Sequence, residues 1–218
     1  MCGKFIQMKD WEAMVELAEL IQSAAAGLTE TVTPMRVASV IRLNAAGQRE
    51  VARMRWGFVP ANARDQNIGT QFIHARAETI EEKPTYRDAF FNRRGLVIVR
   101  SFNEGREITP TKTEQHVITP RDGTPLAIAV IWERWSKMPL ESFAMVTTAA
   151  NALIGTITDR MPAVIAPEDW PKWLSEEQAS VDDLKAILKP FEGDWEMEAA
   201  ARAKSPAPKK PSAQQELF

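Results

Sequence analysis

Arg49-Glu50-Val51-Ala52-Arg53-Met54-Arg55-Trp56 is the stretch whose reading decides the fold. Ala52, Met54 and Trp56 alternate with Arg49, Arg53 and Arg55, the period of a strand with one face in a core and the other in solvent. Ahead of it, Met35 to Leu43 is rich in β-branched residues and runs into the turn Asn44-Ala45-Ala46-Gly47. Working outward, Gln71 to Arg76, Leu96 to Phe102, Thr124 to Trp132 and Phe143 to Thr148 read as further strands, and Arg121-Asp122-Gly123 is a turn feeding the third of these. Helical spacing is confined to four segments. The first starts at Asp10 as N-cap, carries Trp11, Met14, Val15, Ala18 and Ile21 on one face, and ends at Gly27. The others are Thr85 to Arg94, Pro167 to Leu174, and Ser180 to Leu188, the last opening on the cap Ser180-Val181-Asp182-Asp183. Strands and helices do not alternate as βαβ units, so the predicted class is α+β: a β-rich mixed or antiparallel sheet core with peripheral helices.

The chain has 218 residues, 44% hydrophobic and 26% charged, as expected of one soluble globular domain, which we place at residues 2–198. Lys and Arg total 27 against 29 for Asp and Glu, a formal charge of −2, which excludes attachment to nucleic acid by bulk charge and leaves only a local basic patch. Leu126 to Trp132 is the longest apolar run, far short of the roughly 20 residues that cross a bilayer, and Asp10 and Glu12 interrupt any secretory signal. No membrane partner is expected, and the chain reads as cytoplasmic. One cysteine, Cys2, and two histidines, His74 and His116, offer neither a disulfide framework nor the ligands of a structural zinc site, so no metal is expected. Ala199 to Ser212 is Ala, Lys, Pro and Ser with almost nothing to bury, so residues 199–218 read as a flexible tail. That tail nevertheless ends in Gln214-Gln215-Glu216-Leu217-Phe218, two large apolar residues at its tip.

Met1-Cys2-Gly3 carries the first chemical signal. Initiator methionine is normally removed before a small residue, which leaves Cys2 with a free α-amine and a thiol, both reactive near neutral pH. Such an aminothiol condenses with an aldehyde to a Schiff base, and thiol attack closes it to a thiazolidine. By itself the residue also reads as a small buried cysteine beside the start codon.

Five segments carry a family resemblance: Met1-Cys2-Gly3-Lys4-Phe5, Arg55-Trp56-Gly57-Phe58-Val59-Pro60, Ala75-Arg76-Ala77-Glu78-Thr79, Val146-Thr147-Thr148-Ala149-Ala150-Asn151 and Asp159-Arg160-Met161-Pro162-Ala163-Val164-Ile165. In order and spacing they resemble the SRAP (SOS response-associated peptidase) family of abasic-site processing proteins, across roughly residues 2 to 195. The resemblance implies a β-rich fold in which the processed N-terminal Cys lies in a positively charged cleft holding single-stranded DNA and captures the ring-opened aldehyde of an abasic site as a thiazolidine. It implies no metal or organic cofactor. Carried over by position, Cys2 is the nucleophile, Glu104 in Ser101-Phe102-Asn103-Glu104 is the proton-transfer carboxyl following a strand, and Arg76 and Arg160 line the DNA cleft with Trp56 and Asn151. Without the resemblance, Glu104 reads as an exposed residue of the turn Asn103-Glu104-Gly105. Arg36, Arg53, Arg55, Arg93, Arg94 and Arg100 could extend the basic surface or form a solvated sheet face.

Two positions depart from the family pattern. His74 stands where the motif has Asn, and Thr158 stands where it has His. An imidazole is thus lost at one place and gained at another, and His74 becomes the candidate to supply part of the missing acid/base capacity. Tryptophans that follow the Trp-Gly-x-x-Pro motif in the family are replaced by Ala61-Asn62-Ala63, and the aromatic after the glutamate by Gly105. Phe58 and Phe102 are candidates to compensate for the lost base stacking, or are core. The terminal pentapeptide resembles the bacterial sliding-clamp-binding motif, with Gln214 for polar contacts and Leu217 and Phe218 as apolar anchors. The expectation is an abasic-site sensor that crosslinks to single-stranded DNA through Cys2, nucleoid-associated and brought to replication forks by the clamp. A non-catalytic single-stranded DNA-binding module and a cysteine peptidase are the competing readings.

Overall fold

A computed structural model describes residues 2–8 and 29–200. The elements, in chain order, are β1 (Lys4–Met8), β2 (Thr29–Val32), β3 (Val37–Leu43), β4 (Arg49–Trp56), β5 (His74–Arg76), α1 (Pro84–Asn92), β6 (Arg94–Thr109), β7 (Lys112–Pro120), β8 (Leu126–Trp135), β9 (Leu140–Ala149), β10 (Arg160–Pro162), α2 (Trp170–Leu174), α3 (Val181–Ile187) and β11 (Trp195–Ala199). Among the described residues, all the strands belong to one 11-stranded sheet. It is mixed: β9 runs parallel to β4 and to β5, and every other strand pairing is antiparallel.

The pairings β3–β4, β4–β9, β9–β8, β8–β6 and β6–β3 form a closed ring, so this part of the sheet has no free edge. Closure depends on Gly95 at the head of β6. A Cβ there would lie 2.8 Å from the carbonyl oxygen of Ile41 and 2.8 Å from Val40 Cγ1, where β3 crosses β6. The 16-residue β6 is the spine. Its first half pairs with β8, and its second half leaves the ring to pair with β1 on one side and β7 on the other.

The ring strands are apolar on both faces because both faces are covered. Val97, Val99, Ile128, Val130, Met54 and Trp56 pack in one cluster with Cys2 and Phe5. Leu96, Ile98, Ala129 and Ile131 belong to the other, against Phe90 of α1, Trp173 of α2 and Leu184 of α3. Ser180 caps α3 in a reciprocal box with Asp183, as its sequence predicts.

The alternation in Arg49 to Trp56 is realised, with Ala52, Met54 and Trp56 buried and Arg53 exposed. Several boundaries differ from expectation. The segment Gln71 to Arg76 gives a strand only over His74–Arg76, because Gln66–Gln71 winds into a 3-10 turn capped by Asp65. β6 runs on to Thr109, which places Glu104 inside a strand rather than in a turn. β7 escaped the sequence reading because its first four residues are exposed and polar, so no hydrophobic period marks it. β1, β2 and β11 were also missed. The sequence-predicted helix Asp10 to Gly27 lies outside the described residues, as does the tail beyond 200. The supposed tail start at Ala199 is ordered: Ala199 closes β11, and the Ala200 N–H donates to the Gln115 carbonyl at 2.7 Å.

Candidate active site and nucleic-acid interface

The position of Cys2 follows from strand pairing. β1 lies antiparallel to β6 with Lys4 opposite Asn103 and Phe5 opposite Phe102, so the chain ahead of β1 is carried alongside Glu104. β1 is also fastened to β3 by a buried amide: Gln7 Nε2 donates to the Ser39 carbonyl at 2.6 Å, and Gln7 Oε1 accepts from the Ser39 N–H at 2.8 Å. Cys2 itself is 0% exposed, with its thiol 3.4 Å from the Lys4 carbonyl. Burial, and next the neighbouring Glu104 charge, push the thiol pKa well above its ordinary value, so it rests protonated.

Glu104 is also fully buried, and burial raises its carboxyl from 4.5 to about 7. The positive amino terminus and the main-chain N–H groups of Cys2 and Gly105 oppose that shift by favouring the anion. The carboxyl therefore exchanges protons near neutral pH, beside the nitrogen of Cys2.

His74 approaches from the other side. β5 lies parallel to β9 with His74 opposite Met145, and the imidazole rests edge-on to Trp56 at 6.0 Å between ring centroids. Burial lowers its pKa from 6.5 to about 4, although the Cys2 carbonyl favours the charged form; the amino terminus and Arg160 lower it further. Nε2 is buried with no hydrogen-bond partner. The structure thus joins Cys2, Glu104 and His74, but as a neutral imidazole near pH 7, so His74 positions and hydrogen-bonds rather than titrates there. Thr158 sits between a 3-10 turn (Ile154–Thr156) and β10, its N–H on the Ile154 carbonyl, and among the described residues its side chain has no hydrogen bond to the other three.

Arg76 and Arg160 flank the end of β9 from its two edges, Arg76 opposite Thr147 and Arg160 opposite Ala149. Arg160 grips Glu78 with both guanidinium nitrogens, at 2.6 and 2.9 Å, and donates to the Thr147 carbonyl at 2.7 Å. The hydrogen bonds to Arg160 hold the Glu78 carboxyl below its usual value. Arg76 is exposed and, among the described residues, has no ion-pair partner within 4 Å.

The remaining sequence-predicted positions sort differently. Trp56 has no exposed surface; it stacks on Phe143, packs on Phe5, and its indole donates to the Ile73 carbonyl, so it is the floor of the site and not a surface for DNA. Asn151 is buried too, its Oδ1 accepting from the Ile154 N–H and its Nδ2 donating to the Phe191 carbonyl, which shapes the loop before β10. Phe58 and Phe102 are core. Arg94 is removed from the candidate basic surface: its guanidinium is bonded to the carbonyls of Trp173, Phe90 and Phe91 and to Ser175. Arg93 is paired with Asp88 and Glu133. Gln214, Leu217 and Phe218 lie outside the described residues. His116, which the sequence reading did not single out for chemistry, lies directly opposite Glu104 on β7.

Comparison with known proteins follows this geometry. A family model described as SOS response associated peptidase (SRAP) matches residues 1–203. Over 205 residues the chain is 30% identical to abasic site processing protein YoqW of Bacillus subtilis, covering 91% of each chain. It is 26% identical to abasic site processing protein YedK of Escherichia coli over 186 residues, 81% of each. A crystal structure of a Bacteroides thetaiotaomicron protein superposes over 100% of both chains with a TM-score of 0.77 at 24% identity, which supports the fold.

Proposed function

The chain belongs to the SOS response associated peptidase (SRAP) family, and on that premise we propose that it processes abasic sites in single-stranded DNA by forming a covalent thiazolidine through Cys2. The observation that carries this reading is the main-chain nitrogen of Cys2 facing a buried carboxyl, Glu104, that titrates at about 7, with the thiol of the same residue alongside. YoqW and YedK, the relatives named above, are called abasic site processing proteins.

Removal of Met1 turns that nitrogen into the reacting amine. Glu104 as the carboxylate takes one proton from the ammonium, and the amine adds to the aldehyde carbon of the ring-opened sugar. Glu104 as the acid protonates the departing hydroxyl, which leaves as water, and the C=N bond forms. The thiol then adds to the iminium carbon and releases its proton to the carboxylate, closing the ring. Starting from the ammonium, the sum is aminothiol plus aldehyde giving thiazolidine, one water and one proton. Because the thiol rests protonated, a nearby base is required for the last step, and Glu104 is the group placed to supply it.

Arg76 supplies an exposed guanidinium for a phosphate at the end of β9, and Arg160 holds Glu78 beside it. The terminal Gln214-Gln215-Glu216-Leu217-Phe218 supports recruitment by the bacterial sliding clamp through a short linear motif. The decisive experiment mixes the purified protein, shown by intact mass to lack Met1, with abasic single-stranded DNA. A covalent adduct heavier by the DNA less one water is the expected mass. Binding without an adduct overturns the reading in favour of a non-catalytic module.

A further inference from the structure

Proton balance in the proposed reaction leaves one proton to be carried out of a site whose carboxyl is 0% exposed. We propose that His116 is a positioning residue that carries protons between Glu104 and solvent, handing them to Glu114 at the surface. This rests on the reading that Cys2 captures an aldehyde.

The placement comes from the β6–β7 ladder. Glu104 is opposite His116 and Arg106 is opposite Glu114, and the register shift in this hairpin lies beyond them, between Glu107 and Thr109. Directly opposed residues project from the same face with Cβ atoms about 5 Å apart. The rungs therefore run from a buried carboxyl to an imidazole and then to an exposed acid–base pair. His116 Nδ1 is buried with no hydrogen-bond partner, and Nε2 lies 3.8 Å from Glu114 Oε2. The His116 side chain is 13% exposed and that of Glu114 48%, which grades the path from interior to water.

An imidazole accepts a proton at one nitrogen while releasing one at the other, so it relays without moving far. Among the described residues, the groups that face it are few. β6 contributes Glu104 and, one rung outward, Arg106; β7 contributes Glu114; β11 places the uncharged Ala199 opposite.

The test uses the full chain with Met1 removed. His116→Ala and His116→Gln are compared with wild type in single-turnover crosslinking to abasic single-stranded DNA from pH 5.5 to 8.5, with and without added imidazole. Glu104 is titrated by carboxyl 13C NMR without DNA. Expected are crosslinking slowed about 100-fold in both variants below pH 7, where Glu104 starts protonated and must first pass its proton out, recovery of His116→Ala with free imidazole, and a displaced Glu104 midpoint. Wild-type rates across the pH range overturn the proposal, as does slow crosslinking in folded variants that imidazole does not restore. Should wild type itself give no adduct, the functional reading fails separately, and an unchanged Glu104 titration in His116→Ala then overturns the link between the two residues.

Discussion

The main-chain nitrogen of Cys2 faces the carboxylate of Glu104 in the interior of the protein, where neither side chain reaches solvent. The proposed nucleophile and its proposed proton carrier thus meet through the backbone of one and the side chain of the other. That relation separates the roles of amine and thiol. Cys2→Ala should abolish the heat-stable adduct, and Cys2→Ser, which keeps the amine, should still give a Schiff base trapped by borohydride. A heat-stable adduct from Cys2→Ala would falsify the assignment of the nucleophile.

Glu104→Gln keeps the shape and removes the titrating proton, so crosslinking should slow by roughly 10²- to 10⁴-fold. Stability should change in the opposite sense. The folded carboxyl titrates at about 7 against 4.5 for the ordinary value, so the native state binds more protons between these limits and Glu104 lowers stability as pH rises through that window. Glu104→Gln should therefore be more stable than wild type at pH 8, by on the order of 3 kcal/mol, and so melt at a higher temperature, and the difference should vanish near pH 4. Equal melting temperatures at pH 8 would place Glu104 in water.

His74 carries the reverse sign. Its folded value of about 4 lies below the ordinary 6.5, so it contributes a loss of stability as pH falls from 6.5 toward 4. His74→Asn should flatten that acid limb while keeping a hydrogen-bonding group beside the Cys2 carbonyl, and crosslinking near pH 7 should fall by less than tenfold. His74→Ala should cost more, because nothing then holds that carbonyl. An inflection in the wild-type rate near pH 6.5 that disappears in His74→Asn would restore His74 as a titrating catalyst.

Arg76 and Arg160, expected from sequence to act alike, should behave differently. Arg76→Ala should weaken single-stranded DNA binding and lower the slope of log affinity against log salt by up to about one. Arg160→Ala removes one of the two donors on the buried Thr147 carbonyl, which keeps the Ala77 N–H, and frees Glu78, so it should destabilise the fold by about 1 kcal/mol and let the Glu78 pKa rise. Melting curves and salt titrations of the two variants separate these outcomes; matched effects on both readouts contradict the division.

A peptide spanning Ser205 to Phe218 should bind the bacterial sliding clamp at about micromolar affinity, and Leu217→Ala with Phe218→Ala should abolish it while leaving solution crosslinking intact. No binding by the wild-type peptide removes the support for clamp recruitment.

The sequence by itself determined the strands that make the ring, because apolar runs such as Leu96 to Phe102 and the alternation of Arg49 to Trp56 record burial directly. It also determined the family, since Cys2, the Trp56-Gly57 turn and the segments around Arg76 and Arg160 are local patterns that survive without knowledge of their neighbours. Only the tertiary structure decided where those residues stand and what surrounds them. Burial is a property of what packs around a residue, so Trp56 and Asn151 became supports, and Glu104 left an apparent turn for the middle of a strand whose polar second half hides its periodicity. Proton affinity has the same origin: Glu104 and His74 move in opposite senses, one toward 7 and the other toward 4, because loss of water disfavours the charged form of each. The pairing of Glu104 with His116 is likewise a matter of register between β6 and β7, and register is fixed by the whole ladder rather than by either residue.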